Sequence, residues 1–247
     1  MKWATRRLQS LFLFFFFSGP RSGGAQECPC TWHESEESWT CLGAVAEVPT
    51  QCWPLHERIR KVVLDANIRE IKDDDFAHEN LQGLIHLEMR RLQTVARGAL
   101  RPLTKLVYLD VAGGSLQELP DVSKMTDLLA LLAHSNQLTG APSLTHMQVL
   151  DVVELHGNRI SSVPDDFLPN SAHLIDLRLQ QNAVDKLNAS SIVTAPAESR
   201  MTFDPLSSIL ATVDEKDLLL EKEFEVNIDI ESIIEIIEDP PNPYREW

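Results

Sequence analysis

Six residues hold most of the chemical potential of this 247-residue chain: four cysteines near its start and two histidines near its middle. Cys28, Cys30, Cys41 and Cys52 fall within 25 residues of one another, which suits two disulfides formed in an oxidising compartment. Zinc is the rival, but the C-x-C-x10-C-x10-C spacing lacks the close pairs of a zinc ribbon. A Cys28–Cys30 bridge would span one intervening residue and is geometrically awkward. That leaves Cys28–Cys41 with Cys30–Cys52, or Cys28–Cys52 with Cys30–Cys41. His134 and His156 lie 22 residues apart, and their rings are expected to be neighbours on adjacent strands, near Glu154. Such a pair can make a pH-sensitive patch or a weak metal site if the fold stacks the two positions. The sequence places no third ligand clearly, so no metal and no cofactor are assigned.

Catalytic signatures do not accompany these residues. There is no GxSxG elbow, no HExxH and no glycine loop for phosphate, and disulfides would consume every thiol. No catalytic residue is assigned, and the chain is not expected to be an enzyme. The net charge of −15 argues against nucleic acid, which requires clustered Lys and Arg.

The elements that must carry these side chains are set by a period. The stretch VLDVVELHGNRISSVPDDF places Leu150, Val153, Leu155, Asn158, Ile160 and Val163 in the order L-x-x-L-x-L-x-x-N-x-L-x-x-L. Leu174, Leu177, Leu179, Asn182, Val184 and Leu187 repeat it. So do Leu128, Leu131, Ala133, Asn136, Leu138 and Ala141, and before them Leu106, Leu109, Val111, Gly114, Leu116 and Leu119. Leu84, Leu87 and Met89 open an earlier copy, and Ile59, Val62, Leu64, Ile68, Ile71 and Phe76 form a degenerate one. First members are separated by 106−84 = 22, 128−106 = 22, 150−128 = 22 and 174−150 = 24 residues. One such unit cannot bury its own leucines, whereas stacked units close a continuous core.

This pattern resembles the leucine-rich repeat family. The resemblance implies an α/β repeat fold: a leucine-rich-repeat solenoid whose short parallel strands line a concave face, with Asn136, Asn158 and Asn182 satisfying backbone groups in a buried bend. The segment ECPCTWHESEESWTCLGAVAEVPTQCW is similar to the cysteine-rich cap that precedes many secreted or cell-surface members of the family. It departs from the usual pattern in lacking the first of the common four cysteines. A disulfide cap would cover the open hydrophobic end and the unpaired strand edge of the first repeat.

In that register the alternate strand side chains are expected to face solvent on the concave side. The first row is His86, Tyr108, Ala130, Val152 and Asp176. The second is Glu88, Asp110, Leu132, Glu154 and Arg178, and the third is Arg90, Ala112, His134, His156 and Gln180. The expected surface is mixed and acidic, with exposed Leu132 and Val152 at its centre, as a protein-binding face would be.

Around this core the chain divides into residues 1–25 as a signal peptide, 26–58 as the cysteine-rich cap, 59–195 as five to six repeats, and 196–247 as an acidic, partly helical tail. Lys2, Arg6 and Arg7 precede the apolar run Leu8 to Phe17, and Gly23-Gly24-Ala25 supplies a cleavage site. Later segments are too short and too polar to span a membrane, so the mature chain is expected to be released. Asn188-Ala189-Ser190 is a glycosylation sequon. From Met201 onward, 13 acidic residues stand against Lys216, Lys222 and Arg245, giving 13−3 = 10 of the net negative charges. Asp204-Pro205 would start a helix there. The expected function is recognition of an extracellular or cell-surface protein by the concave face. The alternatives are a matrix component resembling the small leucine-rich proteoglycans, or a truncated product of a longer leucine-rich repeat receptor.

Overall fold

A computed structural model describes residues 28–164, 166–168, 172–184 and 199–202. It is a solenoid built around one nine-stranded sheet. The strands are β1 (Thr31–His33), β2 (Ser38–Gly43), β3 (Lys61–Ala66), β5 (His86–Met89), β7 (Tyr108–Asp110), β8 (Ala130–Leu132), β9 (Val152–Glu154), β10 (Asp176–Arg178) and β11 (Arg200–Thr202), in that spatial order. β1 and β2 pair antiparallel; every later pair is parallel. On the return side, β4 (Glu70–Ile71) pairs with β6 (Thr94–Val95).

The register follows the sequence period residue for residue. Val62, Leu87, Leu109, Leu131, Val153, Leu177 and Met201 align across successive strands as one column. Its members from Val62 to Leu177 are completely buried, together with Ile59, Ile71 and Phe76 of the degenerate first unit. A buried aliphatic side chain of this size stabilises the fold by about 1.5–3 kcal/mol, so the column is the spine of the core.

The asparagines do what their position in the repeat implies. Asn136 Oδ1 accepts the Leu116 N–H at 3.1 Å, while its Nδ2 donates to Val111 O and Ala133 O. Asn158 accepts from Leu138 N at 3.0 Å and donates to Ala133 O and Leu155 O. Asn182 accepts from Ile160 N at 3.0 Å and donates to Leu155 O and Leu179 O. Each amide thus stitches its own bend to the previous repeat. Gly114 holds the equivalent place in the unit before Asn136, where a Cβ would stand 2.3 Å from Leu92 O.

Disulfides join Cys28 to Cys52 and Cys30 to Cys41, one of the two pairings left open by spacing. β2 continues the sheet directly into β3, and the buried Trp53 donates from Nε1 to Asp75 O at 2.8 Å, so the cap and the first repeat share one core.

The structure departs from expectation in two places. The return segments carry no α-helix among the described residues; the helical elements are short 3-10 turns at Glu34–Glu36, Thr50–Leu55 and Glu79–Leu81. Units of 22 residues leave too little chain between strands for a regular α-helix of several turns. The strand ladder also extends past residue 195, because β11 pairs with β10 through Leu177 and Met201. The segment expected to be a signal peptide, the sequon at Asn188 and the tail beyond residue 202 lie outside the described residues.

Candidate functional site

The concave face is positioned by strands of three or four residues whose outer side chains stand in register. Parallel strands lie about 4.8 Å apart, so like positions in neighbouring repeats touch. This contact overturns the expectation of an exposed surface. Leu132 and Val152 are 5% and 3% exposed, and His86, Tyr108, Asp110, Glu154 and Asp176 are buried as well. Tyr108, Ala130, Leu132 and Val152 form a second apolar cluster, separate from the main core. Concave curvature draws these side chains together and each shields the next.

A charged network flanks the cluster on both sides. At the cap end the His86 ring stacks on Tyr108 at 4.3 Å, and its Nε2 lies 2.8 Å from Glu88 Oε1. Arg90 Nη2 bridges Glu88 Oε2 at 3.5 Å and Asp110 Oδ2 at 3.2 Å. The other oxygen of Asp110 accepts the Ala112 N–H. At the far end Arg178 sends Nη1 to Glu154 Oε1 at 3.0 Å and Nη2 to Asp176 Oδ2 at 2.7 Å. Each guanidinium therefore holds two carboxylates from adjacent strands.

Burial and pairing pull the acids in opposite directions. The hydrogen bond from His86, helped by Arg90, holds the Glu88 carboxyl below its usual value. Loss of water pushes Asp110 and Glu154 above theirs, even with Arg90 and Arg178 beside them. Burial likewise raises the Tyr108 hydroxyl.

Between the two arginines, just past the ends of β8 and β9, lie His134 and His156. Their rings stack at 4.5 Å with planes 9° apart. Glu154 lies beside them, with Oε2 3.8 Å from His134 Nε2. The residues of the face that remain open to solvent are chiefly polar. They include Arg90, at 52% side-chain exposure, with Glu88, His134, Arg178, His156 and Gln180 partly exposed.

One recurring feature escaped sequence reading. Arg91, Gly113, Ser135, Gly157 and Gln181 occupy the same place in five units, and all have φ between 55° and 70°. This left-handed turn aims the N–H of Gly113, Ser135 and Gly157 at the carbonyls of His134, His156 and Gln180 in the next repeat. Only two of the five are glycine, so composition gave little sign of it.

No protein-family model and no curated protein matches the chain. Among solved structures it is similar to a chain in the crystal structure of a TLR13–ssRNA13 complex, with a TM-score of 0.53 and 21% identity. The match covers 65% of this chain and 24% of that one, so this chain spans about a quarter of its neighbour's length. The likeness shows the fold, a leucine-rich repeat solenoid.

Proposed function

We propose that this chain is a secreted recognition module that binds an extracellular or cell-surface protein through its concave face, without chemistry on the ligand. The observation that carries the reading is the solvent-open polar rim, Arg90, Glu88, His134, His156, Arg178 and Gln180, held by two arginine bridges over a packed apolar floor. Stacking of repeats requires only the inner column of leucines, yet the opposite face of the same strands is built from Tyr108, Leu132 and Val152, flanked by paired charges. A rigid sheet with a preformed polar rim keeps the ordering cost of binding low.

The partner class follows from charge. Glu88, Asp110, Glu154 and Asp176 hold the Arg90 and Arg178 guanidiniums in ion pairs, so neither is free for a phosphate backbone. A protein surface of mixed or basic character is complementary. Secretion is supported by the apolar leader before residue 25 and by two disulfides that require an oxidising compartment. No helix among the described residues is long and apolar enough to cross a membrane.

The test is a binding panel of extracellular ectodomains probed with the full chain made in secretory cells. Wild type is compared with Arg90→Ser and Gln180→Ala on the concave rim and with Lys105→Ser and Thr126→Ala elsewhere. Specific binding lost in the first pair and kept in the second supports the reading. Binding that survives the rim changes, or that follows the second pair, contradicts it.

A further inference from the structure

We propose that His134, Glu154 and His156 form a three-ligand site for a divalent transition metal of the zinc type on the concave face. The proposal stands apart from the protein-binding reading, since an ion would bind there whatever the face recognises.

Topology creates the site. His134 and His156 are separated by one repeat, and the Ser135 N–H donates to His156 O at 2.9 Å, which locks the two bends in register. Glu154 ends β9 two residues before His156, so its side chain emerges on the same side of the strand. One donor atom from each of the three residues lies within 4.8 Å of the others. Two imidazoles and a carboxylate match the borderline donors that zinc prefers, and three protein ligands leave a fourth position for water or a partner's side chain.

Two of the three donors are oriented by a neighbour and left available. His134 Nδ1 pairs with Ser135 Oγ at 3.2 Å, which leaves Nε2 facing Glu154. Glu154 gives Oε1 to Arg178, fixing the carboxylate, and turns Oε2 toward His134. Such outer partners are what hold ligands in place in metal sites. His156 Nδ1 is buried with no hydrogen-bond partner among the described residues, an arrangement that costs free energy unless something satisfies the ring.

Charge points the same way. Among the described residues of this face, Asp65, Glu88, Asp110, Glu154 and Asp176 stand against Lys61, Arg90, Arg178 and Arg200, an excess of 5−4 = 1 negative charge. A cation offsets that excess. No thiol competes for it, because all four cysteines are in disulfides. The stacked rings direct their nitrogens along nearly parallel lines, so uptake requires them to splay until each sits about 2.0–2.1 Å from the ion. That is a rotamer adjustment at a partly exposed rim.

The experiment is zinc titration by calorimetry of the full, disulfide-intact chain without a histidine tag, in a buffer that does not coordinate metal. The expected result is saturable uptake at this site, weakened by at least about tenfold in each of His134→Gln, Glu154→Gln and His156→Gln. His146→Gln, at an exposed histidine elsewhere, should leave it unchanged. Thermal melts establish that each variant is folded. Should any be unfolded, the wild type decides: zinc must shift the imidazole resonances of both His134 and His156. Absence of saturable uptake, equal uptake by the variants, or silent resonances at these two histidines would overturn the proposal.

Discussion

The side-chain amide of Asn158 accepts the backbone N–H of Leu138, 20 residues earlier, at 3.0 Å, and so fastens one repeat to the one before it. Its Nδ2 simultaneously serves Ala133 O and Leu155 O. Asn158→Ala orphans the Leu138 N–H in a buried bend, while Ala133 O keeps Asn136 Nδ2 and Leu155 O keeps Asn182 Nδ2. An unsatisfied buried donor costs about 1–3 kcal/mol, so a loss of about 2 kcal/mol is expected in denaturant unfolding. A loss below about 1 kcal/mol would show that water replaces the amide.

The left-handed turn that precedes each asparagine gives a second test. At Gly113, φ is 70° and a Cβ would meet nothing within 4 Å, so Gly113→Ala isolates the backbone effect. It should destabilise by about 1 kcal/mol. At the neighbouring Gly114 the obstacle is contact: a Cβ would stand 2.3 Å from Leu92 O and 2.8 Å from Asn136 Oδ1. Gly114→Ala should therefore cost more, about 3 kcal/mol. Ser135→Gly relieves a strained φ of 55° and should raise the melting temperature.

Acid titration separates two kinds of carboxylate on the concave face, the half-buried Glu88 and the buried Asp110. Glu88 has its folded pKa below the ordinary 4.5, chiefly through the hydrogen bond from His86. Its ionised form therefore stabilises the fold, fully above pH 4.5, and that contribution is lost as pH falls through the lower folded value. Burial pushes Asp110 up from 3.8, so its ionisation opposes folding, and the penalty fades as pH falls from its raised value toward 3.8. Melting temperatures measured from neutral to acid pH should place Glu88→Gln below wild type and Asp110→Asn above it near neutrality. Both gaps should narrow on acidification. A constant offset for either variant would mean that packing, not ionisation, sets its effect.

The cap's staples should matter to the whole solenoid, because β2 is an integral strand of the sheet. Cys30→Ser with Cys41→Ser removes the bridge that anchors β2 and should cost about 2–5 kcal/mol. Hydrogen exchange would then show faster opening at β3 and β5 than at β9. Uniform exchange along the solenoid would indicate that the cap does not act as a local seal.

The inner face of the fold was legible because a period of 22 residues leaves one register in which Leu87, Leu109, Leu131, Val153 and Leu177 align. Asn136, Asn158 and Asn182 were readable for the same reason. Alternation gave the rows that the strand register shows, such as Tyr108, Ala130, Val152 and Asp176, but not their burial. Whether Val152 is exposed depends on how closely Ala130 and Tyr108 crowd it, and alternation along one strand carries no information about distance between strands. The meeting of His134, His156 and Glu154 was readable from the period, since equivalent positions of adjacent repeats fall side by side. The left-handed positions were obscured by Arg91, Ser135 and Gln181, residues that usually avoid positive φ.

The central claim, recognition through the concave face, is tested most directly by hydrogen exchange on the full chain with and without a partner recovered from the ectodomain panel. The expected result is slowed exchange in the bends that follow β7, β8 and β9, around Ala112, His134 and His156, with the β4–β6 side unchanged. Protection confined to the β4–β6 side or to the cap would contradict it and move the binding surface off the concave face.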